Sequence, residues 1–219
     1  FNALVIPQFE NIYTSSNIKM DLQTIILIKS LYYIPKFISI IILLILAWSF
    51  YIGYSRGIVL QGYYAAATMV SMLVAGAFYK SLAKFISLWV PYASATQGSS
   101  TYFFPSSQLF QLDQVFYAGL AYLIIFTAVY ILGRFFGIFA NLIPYPNKLD
   151  TKWYNVTSGA IAVCISIFVL GMCLTILATV PMEMVQERLN SSFMIRFIVK
   201  YTPITSNILK DLWVNQVIG

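Results

Sequence analysis

FISIIILLILAWSFYIGY (37–54), then Ser55-Arg56-Gly57, then IVLQGYYAAATMVSMLVAGAFY (58–79): two apolar runs of 18 and 22 residues stand three residues apart. At ~1.5 Å per residue, each run is long enough to cross the ~30 Å hydrocarbon layer as a helix. Lipid offers backbone N–H and C=O groups no partner, which leaves helix as the state for such runs in a chain with no barrel pattern. A three-residue joint connects helices that run antiparallel, so the stretch reads as a transmembrane hairpin. Gly57 supplies the turn dihedral without a Cβ penalty, and Arg56 stays at headgroup level.

Outward from this hairpin, residues 115–139 and 156–180 repeat the signal. The chain therefore reads as all-α: an integral membrane four-helix bundle of two transmembrane hairpins, with spans at about 37–54, 58–79, 115–139 and 156–180 inside a membrane domain over 37–181. The composition agrees. Hydrophobic residues make up 60% of 219 and charged residues 9%, with a mean hydropathy of +0.80, where a soluble domain carries ~25% charge. The net charge of +6 sits at the edges of the apolar runs. Membrane lipids, including anionic headgroups, are thus the expected partners, and nucleic acid is not. Cys164 and Cys173 lie nine residues apart in one run. Nine residues rotate a helix by ~900°, so the two face opposite sides, cannot bridge and read as small packing residues.

The flanks read as amphipathic. Residues 1–36 form an N-terminal extension that opens on Phe1, with Met20 a candidate start and no signal-peptide pattern. Within it LQTIILIKSLYYI (22–34), broken by Lys29 and closed by Pro35-Lys36, is too short to span and fits an interfacial helix. The alternative fuses it with the first span into one long, tilted helix kinked at Pro35. Residues 182–219 form an amphipathic C-terminal tail: Phe193, Phe197, Ile198 and Tyr201 fall on one helical face and Arg196 and Lys200 on another, suited to lying on the membrane or docking onto the bundle. In the long middle loop Trp89, Tyr92, Tyr102, Phe103 and Phe104 read as interfacial anchors.

Small residues mark the helix contacts. Ala67, Ser71 and Ala75, with Gly62 and Gly76 beside them, line the second span, and Ser158, Ala162 and Ser166 line the fourth. Such stripes let lipid-embedded helices approach closely. Gly133 and Gly137 form a four-spaced pair around Arg134 at the end of the third span. That arginine either snorkels to headgroups or contacts another helix.

Missing chemistry narrows the function. The chain has no histidine, and its seven carboxylates (Glu10, Asp21, Asp113, Asp150, Glu183, Glu187 and Asp211) fall outside the four runs. Proton-coupled pumps and cation transporters generally need an ionisable group at depth. No metal-ligand cluster, phosphate-cradling loop or nucleophile constellation assembles, so no catalytic residue, cofactor or metal is expected.

The Tyr54-Ser55-Arg56-Gly57 turn, the small-residue-rich second span ending Phe78-Tyr79, the two later spans and the Ser191-Ser192-Phe193 element followed by Pro203 resemble the colicin V production protein (CvpA) family. The resemblance covers roughly residues 38–214 and is nearest to members from Gram-positive bacteria; residues 1–36 depart from it. It implies a four-span bacterial plasma-membrane protein tied to bacteriocin production and envelope homeostasis, with no established catalytic residues. The structural candidates are Arg56, Gly57, Gly133, Arg134, Gly137, Ser191, Ser192 and Pro203.

Raw counting of basic residues near span ends favours cytoplasmic termini. Their density in the two short loops, and the resemblance, favour the reverse, and extracytoplasmic termini are the reading adopted. The function expected is a non-catalytic accessory, scaffold or export factor that works with its own copies or other envelope proteins. The alternative is a pore or transporter subunit for a small uncharged or amphipathic solute. An intramembrane enzyme would have to draw on Arg56, Arg134 or Asp150.

Overall fold

The computed structural model describes residues 22–92, 101–140 and 151–201. Four long helices dominate: α1 (Leu22–Arg56), α2 (Ile58–Ile86), α3 (Leu112–Ala140) and α4 (Lys152–Ala178). A 3₁₀ turn (Ser106–Gln111) leads into α3; α5 (Glu183–Ser191), α6 (Phe193–Arg196) and a π turn (Phe197–Tyr201) follow α4. Each long helix carries a stretch long and apolar enough to cross a membrane: Phe37–Arg56, Ile58–Ile86, Gln108–Phe139 and Lys152–Ala178. The four-helix membrane architecture read from the sequence is present.

The pairing of the helices differs from the hairpin reading. Although α1 and α2 are joined through Gly57 alone, they barely touch; α1 packs on α4, and α2 packs on α3. Paired positions run in opposite order along each seam. Ser39 meets Ser192, Ser49 meets Ser166 and Gly53 meets Ser158, while Tyr63 meets Gly133 and Met72 meets Tyr122. The joint is too short to let two adjacent helices choose each other. Gly57 holds φ 78° and ψ 166°, a region open essentially to glycine alone, and α2 turns away to seek α3.

Small residues decide the α1–α4 seam. A Cβ added at Gly53 would stand 2.5 Å from Ala162 Cβ, 2.8 Å from the Ser158 carbonyl oxygen and 3.0 Å from Gly159 Cα. The two backbones therefore meet where glycine alone fits. Ser158 donates its hydroxyl to the carbonyls of Gly53 and Gly57, and Ser166 donates to Ser49 at 2.7 Å. The stripe Ser158–Ala162–Ser166 thus faces α1. In α2, Ser71 and Ala75 are fully buried, but Gly62 and Gly76 have nothing within 4 Å and lie outside the packing. Cys164 is exposed on the outer surface rather than packed, and both cysteines are free.

Both interfacial helices need correction. Residues 22–34 are not a separate element, because α1 runs unbroken through Pro35 for 35 residues. That is ~50 Å of helix against a ~30 Å hydrocarbon layer. The missing Pro35 N–H removes one rung of the ladder without ending the helix. Of the two settings read for the tail, its described part takes the second and docks onto the bundle instead of lying flat. Ile195, Ile198 and Val199 are buried against the bundle, whereas Phe193 and Phe197 stack on each other and stay exposed. The face assumed from helical periodicity splits because the chain passes from a short α turn into a π turn, which changes the repeat.

The middle loop folds inward as well. Trp89 and Tyr102 are exposed, but Phe104 is buried and Phe103 packs on the core. The Tyr92 hydroxyl donates to the Thr179 carbonyl at 2.6 Å, and Tyr117 donates to the Val90 carbonyl at 2.7 Å. Gln186, 1% exposed, finishes this end. Its Nε2 donates to the carbonyls of Ala178 and Val180, and its Oε1 accepts from the Tyr102 N–H. The carbonyls left over at the C-terminus of α4 are thereby answered from within the chain. Loop and tail together cap one end of the bundle.

Candidate functional site

The opposite end is built from the C-terminus of α1, the first two turns of α2 and the last turns of α3. Tyr63 and Tyr64 fill the groove that the four-spaced glycines leave on α3. A Cβ at Gly137 would meet the Tyr64 ring at 2.8 Å and the Tyr63 ring at 3.1 Å, and one at Gly133 would meet Ala67 Cβ at 3.0 Å. The Tyr63 hydroxyl donates to the Gly133 carbonyl at 2.9 Å. These contacts bury Tyr64 to 7% exposure and fix its ring.

Two guanidiniums converge on that ring. Arg56 Cζ lies 5.0 Å from the Tyr64 centroid and Arg134 Cζ 5.1 Å. The cations come from α1 and α3, and α2 presents the ring to both. Each contact is worth ~0.5–2 kcal/mol. Against this stands mutual repulsion, at least about 1.7 kcal/mol at an effective dielectric of ~20, because distances of 5.0 and 5.1 Å from one centroid put the two cations no more than ~10 Å apart. Among the described residues no carboxylate pairs with either arginine; Asp113, Glu183 and Glu187 belong to the capped end, on the first turn of α3 and on α5. Gln61, one helical turn before Tyr64, is 2% exposed and its Oε1 has no described partner. Exposed rings surround this end: Tyr51 and Tyr54 on α1, Phe135, Phe136 and Phe139 on α3, Trp153 and Tyr154 on α4. Such a belt marks the level of lipid headgroups.

The sequence candidates divide between the two ends. Arg56, Gly57, Gly133, Arg134 and Gly137 gather around Tyr63 and Tyr64. Ser191 and Ser192 lie at the capped end: Ser191 donates to the Glu187 carbonyl at 2.6 Å, and buried Ser192 shares a 2.9 Å hydrogen bond with Ser39 that ties the tail to α1. Pro203 and Asp150 lie outside the described residues. Tyr64, Gln61, Gly53 and Gln186 escaped the sequence reading. A signal existed for Gly53, since Ser49, Gly53 and Gly57 recur every four residues opposite the stripe in α4.

A concavity of about 350 Å³ opens at the capped end, lined by Tyr79, Lys80, Ala83, Lys84, Ser87, Gln114, Tyr117 and Ala118. Burial, with lesser help from Asp113 and Tyr117, holds the nearby Tyr92 phenol well above its ordinary range, so it stays a neutral donor to Thr179. Among the described residues no group of three His, Cys, Asp or Glu gathers that could hold a metal ion.

No solved structure matches the chain. A protein of Bacillus subtilis (strain 168), described as the uncharacterized transmembrane protein YshB, is 26% identical over 177 residues, which is 80% of this chain and 97% of that protein. Residues 38–203, from the first span to the tail, match the family described as colicin V production protein. A multipass membrane bundle with that match over most of its length belongs to the colicin V production protein family.

Proposed function

We propose that this protein is a non-catalytic accessory or scaffold factor of the bacterial plasma membrane that helps assemble or export an envelope or toxin component such as a bacteriocin. One observation carries the reading: polar side chains at depth are committed to packing. Thr68 and Ser71 donate to carbonyls of their own helix, Tyr122 to the Met72 carbonyl, Ser166 to Ser49, and Ser158 to two carbonyls of α1. The bonds of Tyr122, Ser166 and Ser158 hold helices together, and hydroxyls engaged in any of these ways are not poised as acids, bases or nucleophiles. The family name supplies the association with bacteriocin production.

Site-specific photocrosslinking along the exposed faces of α1 and α3 in native membranes tests this. A defined protein partner or a self-assembled species supports the role; a chain that crosslinks to lipid alone overturns it. The cleft beside Lys80 and Lys84 favours a second reading, a transporter subunit for a small uncharged or amphipathic solute. Proteoliposomes impermeable to a panel of such solutes count against that. The proposed orientation puts the Arg56–Gly57 turn in the cytoplasm and both termini outside, which reporter fusions at Gly57 and at the C-terminus read directly.

A further inference from the structure

We propose that Arg56 and Arg134 form a phosphate-binding site, in which the two guanidiniums clamp one phosphate group at headgroup depth with Tyr64 as the platform that carries both. The convergence is the first reason. Two cations from helices separated in the chain are brought to within 5.0 and 5.1 Å of one ring centre, where their mutual repulsion is set against the ring contacts and an anion bridging them would relieve it. The second reason is the rigidity behind them. Tyr64 is wedged against Gly137, and Tyr63 is bonded to the Gly133 carbonyl, so the platform is pre-set before any ligand arrives. A guanidinium presents paired N–H donors that match phosphate oxygens, and a lysine does not reproduce that fork.

The third reason is depth, and among the described residues neither arginine has a carboxylate partner. The exposed rings of Tyr54, Trp153 and Tyr154 set this end at the depth where lipid phosphates lie. A phosphodiester of an anionic lipid and a free phosphate offer the same oxygens, and experiment separates them. This site deepens the accessory reading without depending on it, because binding is measured on the isolated protein.

The full chain, purified in uncharged detergent, is titrated with a short-chain phosphatidylglycerol and, separately, with inorganic phosphate. Binding is read by native mass spectrometry and by thermal shift. The expected result is saturable 1:1 binding of at least one of the two ligands, weakened ten-fold or more in Arg56→Gln/Arg134→Gln and partly retained in Arg56→Lys/Arg134→Lys. Lipid binding with no phosphate binding assigns the site to headgroups, and the converse assigns it to a soluble phosphate. Lys80→Gln/Lys84→Gln removes equal charge at the other end and leaves the affinity unchanged. The proposal is overturned if neither ligand binds, or if both double variants weaken binding equally, which would be general attraction to a basic protein. Should the glutamine variant prove misfolded, the lysine variant carries the same decision: affinity equal to wild type there overturns the fork geometry.

Discussion

At the capped end, Gln186 alone answers the carbonyls of Ala178 and Val180, at and just past the end of α4, and a loop N–H, whereas at the far end two guanidiniums meet over Tyr64 and find no carboxylate among the described residues. Both ends are tightly packed, so looseness does not separate them. The difference is where the polar groups find their complements. One end closes its hydrogen bonds within the chain and so contributes to stability. The other holds two like charges with no carboxylate partner among the described residues, which is where the proposed phosphate would act.

Filling Gly53 should produce the largest effect. Gly53→Val drives a branched side chain into backbone atoms of α4 and should cost about 3 kcal/mol or more in unfolding of the detergent-solubilised protein. Gly62→Ala and Gly76→Ala, with open space around them, should cost nothing measurable. A tolerated Gly53→Val would show the arginine end to be merely loose and would break the comparison.

Gln186→Ala comes next. It strips three hydrogen bonds from a buried cap and should destabilise by about 2–3 kcal/mol. Tyr92→Phe removes one bond to Thr179 and should cost about 1 kcal/mol at neutral pH. Its pH dependence has a definite sign. Burial raises the folded phenol above its ordinary value, so the wild-type advantage is complete below about pH 10 and fades as pH rises beyond it. Thermal unfolding of both proteins across that range should show the gap closing. The smallest effect belongs to Arg56→Gln/Arg134→Gln. Lost ring contacts and relieved repulsion offset each other, and ligand-free stability should move by less than about 1 kcal/mol. A loss as large as that of Gln186→Ala would make the arginines structural and erase the contrast.

The sequence by itself determined the four spans and the all-helical class, because length and apolarity of a run are local properties that lipid reads directly. It also exposed the stripe Ser158–Ala162–Ser166 and the glycine pair Gly133 and Gly137, since a period of four survives in any helix. Partner choice was not local. The hairpin of α1 and α2 looked inevitable from a three-residue joint, yet Gly53 found α4 and Tyr64 found α3. Burial of Phe104 and Gln186 likewise depends on a loop and a tail meeting across more than eighty residues of chain. Only the tertiary structure decided that Arg56 and Arg134 share a ring, because the distance between side chains on different helices is set by how the backbones pack, and hydropathy along one chain carries no record of it.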